Sequence, residues 1–386
     1  MRSLRALIDA TAVGSGRGGD ETLLRGIIRG LSLTAGEGHM VTVLCHHAGE
    51  VASQIPTSAL ELEEMPRRSG PVHFGLELPR YLHRYRSRFD VVLTITHAPV
   101  RSPVPVAHIV QDLSYVHVPD SYPLHTRLRL RALIGLQVRS AGAVVTLSEF
   151  CRRDLIATYQ LAPDRVQVVP CSVEAPQPLP AARREIALRW LAEHGATGSF
   201  FLYLGNLHPR KNLARTIRAF ARARRGAPAL EGHKLVIAGA RWWGGGEEAE
   251  AAITAPGSVV FLGRVGDDVR QVLLESAVAL LYLSLFEGFG LPPLEAMAAS
   301  TPVLAADAAA IPEVTGGAAL LVDPRDESSI SDSIARIGTD SPLRKDLVQK
   351  GRRRAAEFCP LHTGAAALQA LSVAAGRGMP ALRVGA

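Results

Sequence analysis

The sequence predicts an α/β protein made of two doubly wound, Rossmann-like domains. Short apolar, β-branched runs alternate with amphipathic stretches along nearly the whole chain, the pattern of βα units closing on a parallel sheet. A length of 386 residues exceeds what one hydrophobic core usually organises and points to two domains. Between the halves, the stretch 172–182 sets Pro176, Pro178 and Pro180 among small and polar residues, as a linker does.

Taken in order, the run 4–8 opens the first domain. Its apolar stretch is short and runs into Asp9, so it reads as a first strand and not as a signal peptide. Runs at 40–44, 91–96, 106–110, 143–147 and 166–169 supply the remaining strands expected in this half. The second half repeats the pattern at 200–204, 234–238, 259–262, 279–283, 303–306 and 319–322. The expected domains are 1–175 and 176–360, followed by an alanine-rich segment, 361–386, that reads as helical.

Composition narrows the function classes. Hydrophobic residues make up 47% and charged residues 20%, the balance of a folded globular chain rather than a disordered one. No apolar run approaches the roughly 20 residues that span a bilayer, so the expected compartment is the cytoplasm. Cys45, Cys151, Cys171 and Cys359 form no C-x-x-C pair, which argues against a disulfide framework or zinc site. A formal net charge of +7 favours anionic partners. Arginines concentrate at 80–88 and 127–131, either as a solvated helix face or as a surface for an anionic membrane or lipid-linked acceptor. Nucleic acid is disfavoured as a partner, because aromatic residues amount to only 5% and do not interleave with the charges.

The chemistry concentrates in Phe286-Glu287-Gly288-Phe289-Gly290-Leu291-Pro292-Pro293-Leu294-Glu295. Gly288 and Gly290 let backbone amides approach a ligand closely, and Pro292 and Pro293 suit a first helical turn. Glu295 then lies about one turn into the helix. The expected product is a helix N-terminus facing an anion, flanked by carboxylates that accept from hydroxyls. Phosphate on one side and polyol on the other describes a nucleotide sugar.

Upstream, Arg210 and Lys211 fall between a strand ending at Gly205 and a helix starting near Asn212. Cations there oppose the helix dipole, a conflict that a bound diphosphate would resolve. A third loop, Gly14-Ser15-Gly16-Arg17-Gly18-Gly19, follows the first strand. Its spacing satisfies G-x-G-x-x-G, but the acid a nicotinamide ribose needs is missing. The second strand runs into Cys45-His46-His47 instead, which disfavours an NAD-dependent oxidoreductase. His97, His108 and His117 fall near strand ends of the first domain and read as satisfied polar or core residues.

The run from Ser284 to Glu295, with Thr301-Pro302-Val303, Ile311-Pro312-Glu313-Val314 and Leu321-Val322-Asp323-Pro324, resembles the donor-site signature of glycosyltransferase family 4. Leu204-Gly205-Asn206-Leu207-His208-Pro209-Arg210-Lys211-Asn212 resembles the same family's phosphate-binding segment. The resemblance implies a GT-B architecture, two Rossmann-like domains facing a cleft, with the helix of 361–386 crossing back to the first. It implies retaining transfer of a hexose from a nucleotide sugar to a saccharide or lipid-linked acceptor. Arg210 and Lys211 then stabilise the leaving diphosphate, Glu287 approaches the sugar and Glu295 takes the ribose hydroxyls. Gly205 and Asn206, with the amides of Gly288, Phe289, Gly290 and Leu291, line the donor.

The same resemblance puts the loop of Gly16, Gly18 and Gly19 near the acceptor, with a flexible solvent loop as the alternative. Gln111-Asp112-Leu113 stands where many relatives carry His-Asp-Leu, leaving Asp112 as the stronger acceptor-side residue and Gln111 as a neutral hydrogen-bonding one. Ser148-Glu149-Phe150 matches the family pattern, whereas Ser172 and Ser300 stand where glycine is usual. No H-E-x-x-H or D-x-D run is placed to hold a metal, so metal-independent catalysis without a cofactor is expected. GDP-mannose is the first expected donor, from likeness to mannosyltransferases of polysaccharide assembly, with UDP- or TDP-sugars as alternatives. A silent GT-B scaffold that binds nucleotide or glycan is the rival. The intact Arg210, Lys211, Glu287 and Glu295 count against it.

Overall fold

A computed structural model of the chain describes residues 3–14, 18–55, 59–99, 101–240 and 246–377. The chain forms two compact units, one of Met1–Val116, Tyr122–Ser172 and Phe358–Ala386, the other of His117–Ser121 and Val173–Glu357. No helix among the described residues is long and apolar enough to cross a membrane.

The first unit holds β1 (Leu4–Asp9), β2 (His39–Cys45), β3 (Leu60–Glu64), β4 (Val91–Ile95), β5 (Val106–Ile109), β6 (Ala143–Thr146) and β7 (Val166–Val168). They form one sheet in the order β3-β2-β1-β4-β5-β6-β7, every pair parallel. Leu4, Ala6, Leu7 and Ile8 of β1 are all buried, as befits a central strand covered on both faces.

β3 was not among the expected strands. It reads Leu-Glu-Leu-Glu-Glu, and its carboxylates hide the apolar signal. As an edge strand it uses them for pairing: Glu61 accepts from Thr42 Oγ1, and both Glu61 and Glu63 meet Arg88. β4 stops one residue short of the expected end, because Thr96 turns to φ 64° and His97 N–H bonds back to Ile95 O.

The Pro360–Ala374 helix belongs to the first unit although it follows the second in sequence. It meets the Gly18–Thr34 helix backbone to backbone. A Cβ on Gly30 would lie 2.4 Å from Pro360 O, and one on Gly364 would lie 2.2 Å from Gly30. Thr363 Oγ1 donates to Pro170 O, and Arg377 reaches Ser3 O and Asp90. The remainder of the expected terminal helix, residues 378–386, lies outside the described residues.

The second unit holds β8 (Phe200–Leu204), β9 (Lys234–Ala238), β10 (Val259–Gly263), β11 (Ala279–Tyr282), β12 (Val303–Ala306) and β13 (Leu320–Val322). Their order is β10-β9-β8-β11-β12-β13, again all parallel. The Leu213–Gly226 helix lays Leu213, Ile217 and Phe220 on this sheet beside Ile330, Ile334 and Ile337 of the Glu327–Thr339 helix. Each such fully buried side chain contributes about 1.5–3 kcal/mol.

Strand order reverses once in each sheet, between β1 and β4 and between β8 and β11. In open parallel sheets the loops leaving the carboxyl ends of such neighbours part to opposite faces and open a crevice for ligands.

Candidate active site

In the second unit, the loops after β8 and β11 meet at the reversal point. The β8 loop closes on a short turn, Pro209–Lys211, whose first free amide is capped by a side chain: Arg210 N–H donates to His208 Nδ1 at 3.1 Å. His208 is buried, and burial, reinforced by Arg210 and Lys211, lowers its pKa to about 4. It is therefore neutral at pH 7 and able to accept. Asn212 follows in the left-handed region at φ 60°, a conformation asparagine tolerates. Its Nδ2 donates to Leu283 O at 3.0 Å and Pro324 O at 2.7 Å, tying the loops after β8, β11 and β13 together.

Glu287 comes from the β11 loop and is only 6% exposed. Its Oε1 lies 2.7 Å from Arg210 Nη1 and 2.6 Å from Lys211 Nζ. Burial alone would raise its pKa, but the charges of Arg210 and Lys211 outweigh burial and hold it at about 2. Arg210 Nη1 also donates to Phe286 O, and Lys211 Nζ donates to Tyr282 OH at 2.9 Å, above the Tyr282 ring. Two cations thus share one carboxylate, leaving a net positive charge fixed at the mouth of two strands.

Gly290 caps the Leu291–Ala298 helix at φ 103°, where a Cβ would lie 2.7 Å from Ile311 Cδ1. Only glycine fits there without strain. Pro292 sits in the first turn as the sequence predicts. The helix ends with Thr301 N–H bonding to Ala296 O and Ser300 N–H to Met297 O, with Ser300 left-handed at φ 67°. The glycine usual at this position is the ordinary helix terminator, so serine holds a strained backbone. Phe289 is buried, and Gly205 and Asn206 lie where the chain leaves β8, Asn206 O accepting from Tyr203 OH.

Glu295 faces inward from that helix, and its Oε1 pairs with Nη2 of Arg270 on the Asp267–Ser276 helix. Arg270 was missing from the expected residues. The signal that singled out Arg210 and Lys211, cations set against the dipole at a helix start, applies to it as well.

In the first unit, Gly16 lies outside the described residues. Gly18 and Gly19 open the Gly18–Thr34 helix, and a Cβ on either would meet open space. Gln111 Nε2 donates to Asp20 Oδ1 at 2.6 Å, while Thr96 Oγ1 donates to Asp20 Oδ2 at 3.0 Å. Asp112 accepts from Ser114 N–H at 2.9 Å, a capping contact. Beside them, Asp9 at the end of β1 accepts from Thr11 Oγ1 and sits 3.0 Å from His73 Nε2, with both Asp9 and His73 buried. Sequence reasoning singled out neither Asp20 nor the Asp9–His73 pair. His108 is buried against Thr94 Oγ1, and burial with His97 lowers its pKa to about 4. It is a satisfied core residue. His117 corrects its expected place: it groups with the second unit, its ring stacked on Phe286 at 5.0 Å. None of the four cysteines is in a disulfide.

A family model described as "Glycosyl transferases group 1" matches residues 189–354, and one described as "Glycosyltransferase Family 4" matches residues 17–175. Together they span most of the chain. An O-antigen chain mannosyltransferase B of Escherichia coli is 28% identical over 258 residues, 64% of this chain and 65% of that protein. An O-antigen chain mannosyltransferase of Salmonella typhimurium is 27% identical over 59% of each chain. The matched segment therefore spans less than two thirds of these relatives' own length. Among solved structures, the Anabaena protein HepE in complex with UDP and glucose superposes with a TM-score of 0.70 at 16% identity, over 96% of this chain and 100% of that one. WaaG, a glycosyltransferase involved in lipopolysaccharide biosynthesis, gives 0.66 at 20% identity, over 94% and 98%. At these identities the structural likeness speaks to the fold.

Proposed function

Because the chain belongs to the group 1 and family 4 glycosyltransferases of GT-B fold, we propose that it is a retaining hexosyltransferase using a nucleotide sugar, GDP-mannose first. The acceptor is a hydroxyl of a saccharide or lipid-linked glycan. The observation that carries this reading is the Arg210–Glu287–Lys211 triplet at the reversal point of the second sheet. The O-antigen mannosyltransferase relatives support mannose.

The bond that breaks joins the anomeric carbon to the donor's diphosphate, and charge grows on the leaving oxygen. Arg210 and Lys211 meet that charge from fixed positions, so little reorganisation is needed as the reaction proceeds. Glu287 keeps the two cations together and leaves one net positive charge for the incoming diphosphate. The acceptor oxygen attacks from the face the leaving group vacates, and its proton passes to a phosphate oxygen of the departing diphosphate. Glu295 accepts from the ribose hydroxyls. Side-chain cations serve the leaving group in place of a metal ion. The Asp20, Gln111 and Asp112 edge of the first sheet takes the acceptor side.

Peripheral attachment to an anionic membrane belongs to the same proposal. The Leu124–Ser140 helix carries Arg127, Arg129 and Arg131 among the exposed Leu124, Leu128 and Leu136, a basic surface that anionic head groups would attract. In the other cluster Arg88 is held by Glu61 and Glu63, which leaves Arg80, Arg84 and Arg86 exposed.

The stereochemical test is an NMR assignment of the anomeric proton in the product formed from GDP-mannose. Retention of the donor's α configuration is expected, and an inverted product would refute the retaining mechanism. Binding of GDP-mannose without any turnover would instead identify a scaffold protein.

A further inference from the structure

With Glu295 assigned to the ribose, its carboxylate has to be held in one orientation to accept from a pair of neighbouring hydroxyls. In the described structure Glu295 is largely buried, its side chain 12% exposed, and the cation facing it is Arg270 from the neighbouring Asp267–Ser276 helix. A carboxylate offers two accepting oxygens, and fixing one of them fixes the direction of the other. One oxygen tied to a guanidinium leaves the other oxygen, and a lone pair on the first, for hydroxyl donors.

Arg270's own position argues that this contact has a purpose. It is the fourth residue of its helix, where the dipole disfavours a cation, and its side chain is two-thirds withdrawn from solvent. Burial works against its charge, while Glu295 and then Asp267 favour it. A long, costly cation is retained at a helix start and directed at one particular carboxylate.

We propose that Arg270 is a positioning residue that sets ribose recognition by Glu295, so that the enzyme distinguishes a ribonucleotide donor from one lacking the 2′- and 3′-hydroxyls. This rests on the assignment of Glu295 to the ribose. Arg270 acts through the carboxylate rather than on the sugar–phosphate bond. Its loss weakens donor binding selectively and leaves the chemistry of the bound donor untouched.

The experiment is calorimetric titration with GDP and with 2′,3′-dideoxy-GDP, with the UDP pair run alongside. Wild type, Arg270→Gln, Arg270→Lys and Glu295→Ala are compared. Wild type should prefer the ribonucleotide by about tenfold or more, the size of hydrogen bonds to a charged acceptor. Arg270→Gln should bring the ratio to within about twofold of unity, with dideoxynucleotide affinity little changed, and Arg270→Lys should restore part of it because a point charge replaces the planar fork. If Glu295→Ala abolishes the preference while Arg270→Gln and Arg270→Lys keep it in full, Arg270 is a tether between helices and the inference fails alone. If Glu295→Ala keeps the preference, the ribose assignment fails and takes the inference with it. Should Arg270→Gln not fold, the Arg270→Lys ratio decides: a wild-type value overturns the proposal.

Discussion

Glu287→Gln removes a charge while keeping the shape of the side chain, and it leaves Arg210 and Lys211 side by side without their common partner. The wild-type carboxyl titrates at about 2 in the folded protein against an ordinary value of 4.5. Each pH unit of that gap corresponds to about 1.4 kcal/mol, so the charged form contributes about 3 kcal/mol to folding of the second unit. The sign follows from the depressed value. The contribution is complete above pH 4.5, and it is lost as the pH falls from 4.5 towards 2. Trp190, on the Ala181–Glu193 helix within Val173–Glu357, stacks on His194, so its fluorescence in a urea titration follows this unit. At pH 7 the variant should be less stable than wild type by about 3 kcal/mol, and the difference should shrink as the titrations move below pH 4.5. A loss under about 0.5 kcal/mol at pH 7, or one that does not change in acid, would refute the view that Glu287 is the charge holding the two cations in place.

Ser300→Gly should stabilise the second unit by about 0.5–1 kcal/mol in the same titration, because glycine relieves the left-handed backbone at φ 67° and the hydroxyl lost there accepts from the exposed Arg352. A destabilised variant would show that the Arg352 contact outweighs the strain. Liposome co-sedimentation should show salt-sensitive binding to anionic vesicles, each basic residue of the Leu124–Ser140 helix and of Arg80, Arg84 and Arg86 contributing about 1 kcal/mol. Indifference to anionic vesicles at low salt would make these arginines an ordinary solvated surface and the acceptor a soluble glycan.

The parallel sheets were legible because their central strands are buried on both faces and read as unbroken apolar runs, as in Phe200–Leu204 and Val303–Ala306. β3 escaped for the opposite reason, since an edge strand carrying Glu61, Glu63 and Glu64 lacks that signature. Thr96 misled: a β-branched residue favours a strand, yet here it takes a positive φ to end one and to reach Asp20. The turn after β8 and the helix start at Gly290 were legible because glycines and prolines fall at local spacings with direct conformational meaning. The pairings Arg270–Glu295, Asp9–His73 and Asp20–Gln111 were not, because the fold brings each together from segments distant in sequence, even where one partner, such as Glu295 or Gln111, stood out by itself. The sequence leads to the expectation that Arg210 and Lys211 meet a phosphate, but it did not reveal that Glu287 pairs with both of them.

The most direct test of the central claim is release of GDP from GDP-mannose, with membrane-extracted glycolipid as acceptor and excess chelator present, in wild type and Lys211→Ala. The account predicts turnover that survives the chelator and falls by about 10²–10³ in the variant, because one of two fixed cations facing the leaving diphosphate is gone. Turnover that stops with the chelator, or a variant that works at nearly the wild-type rate, would contradict it.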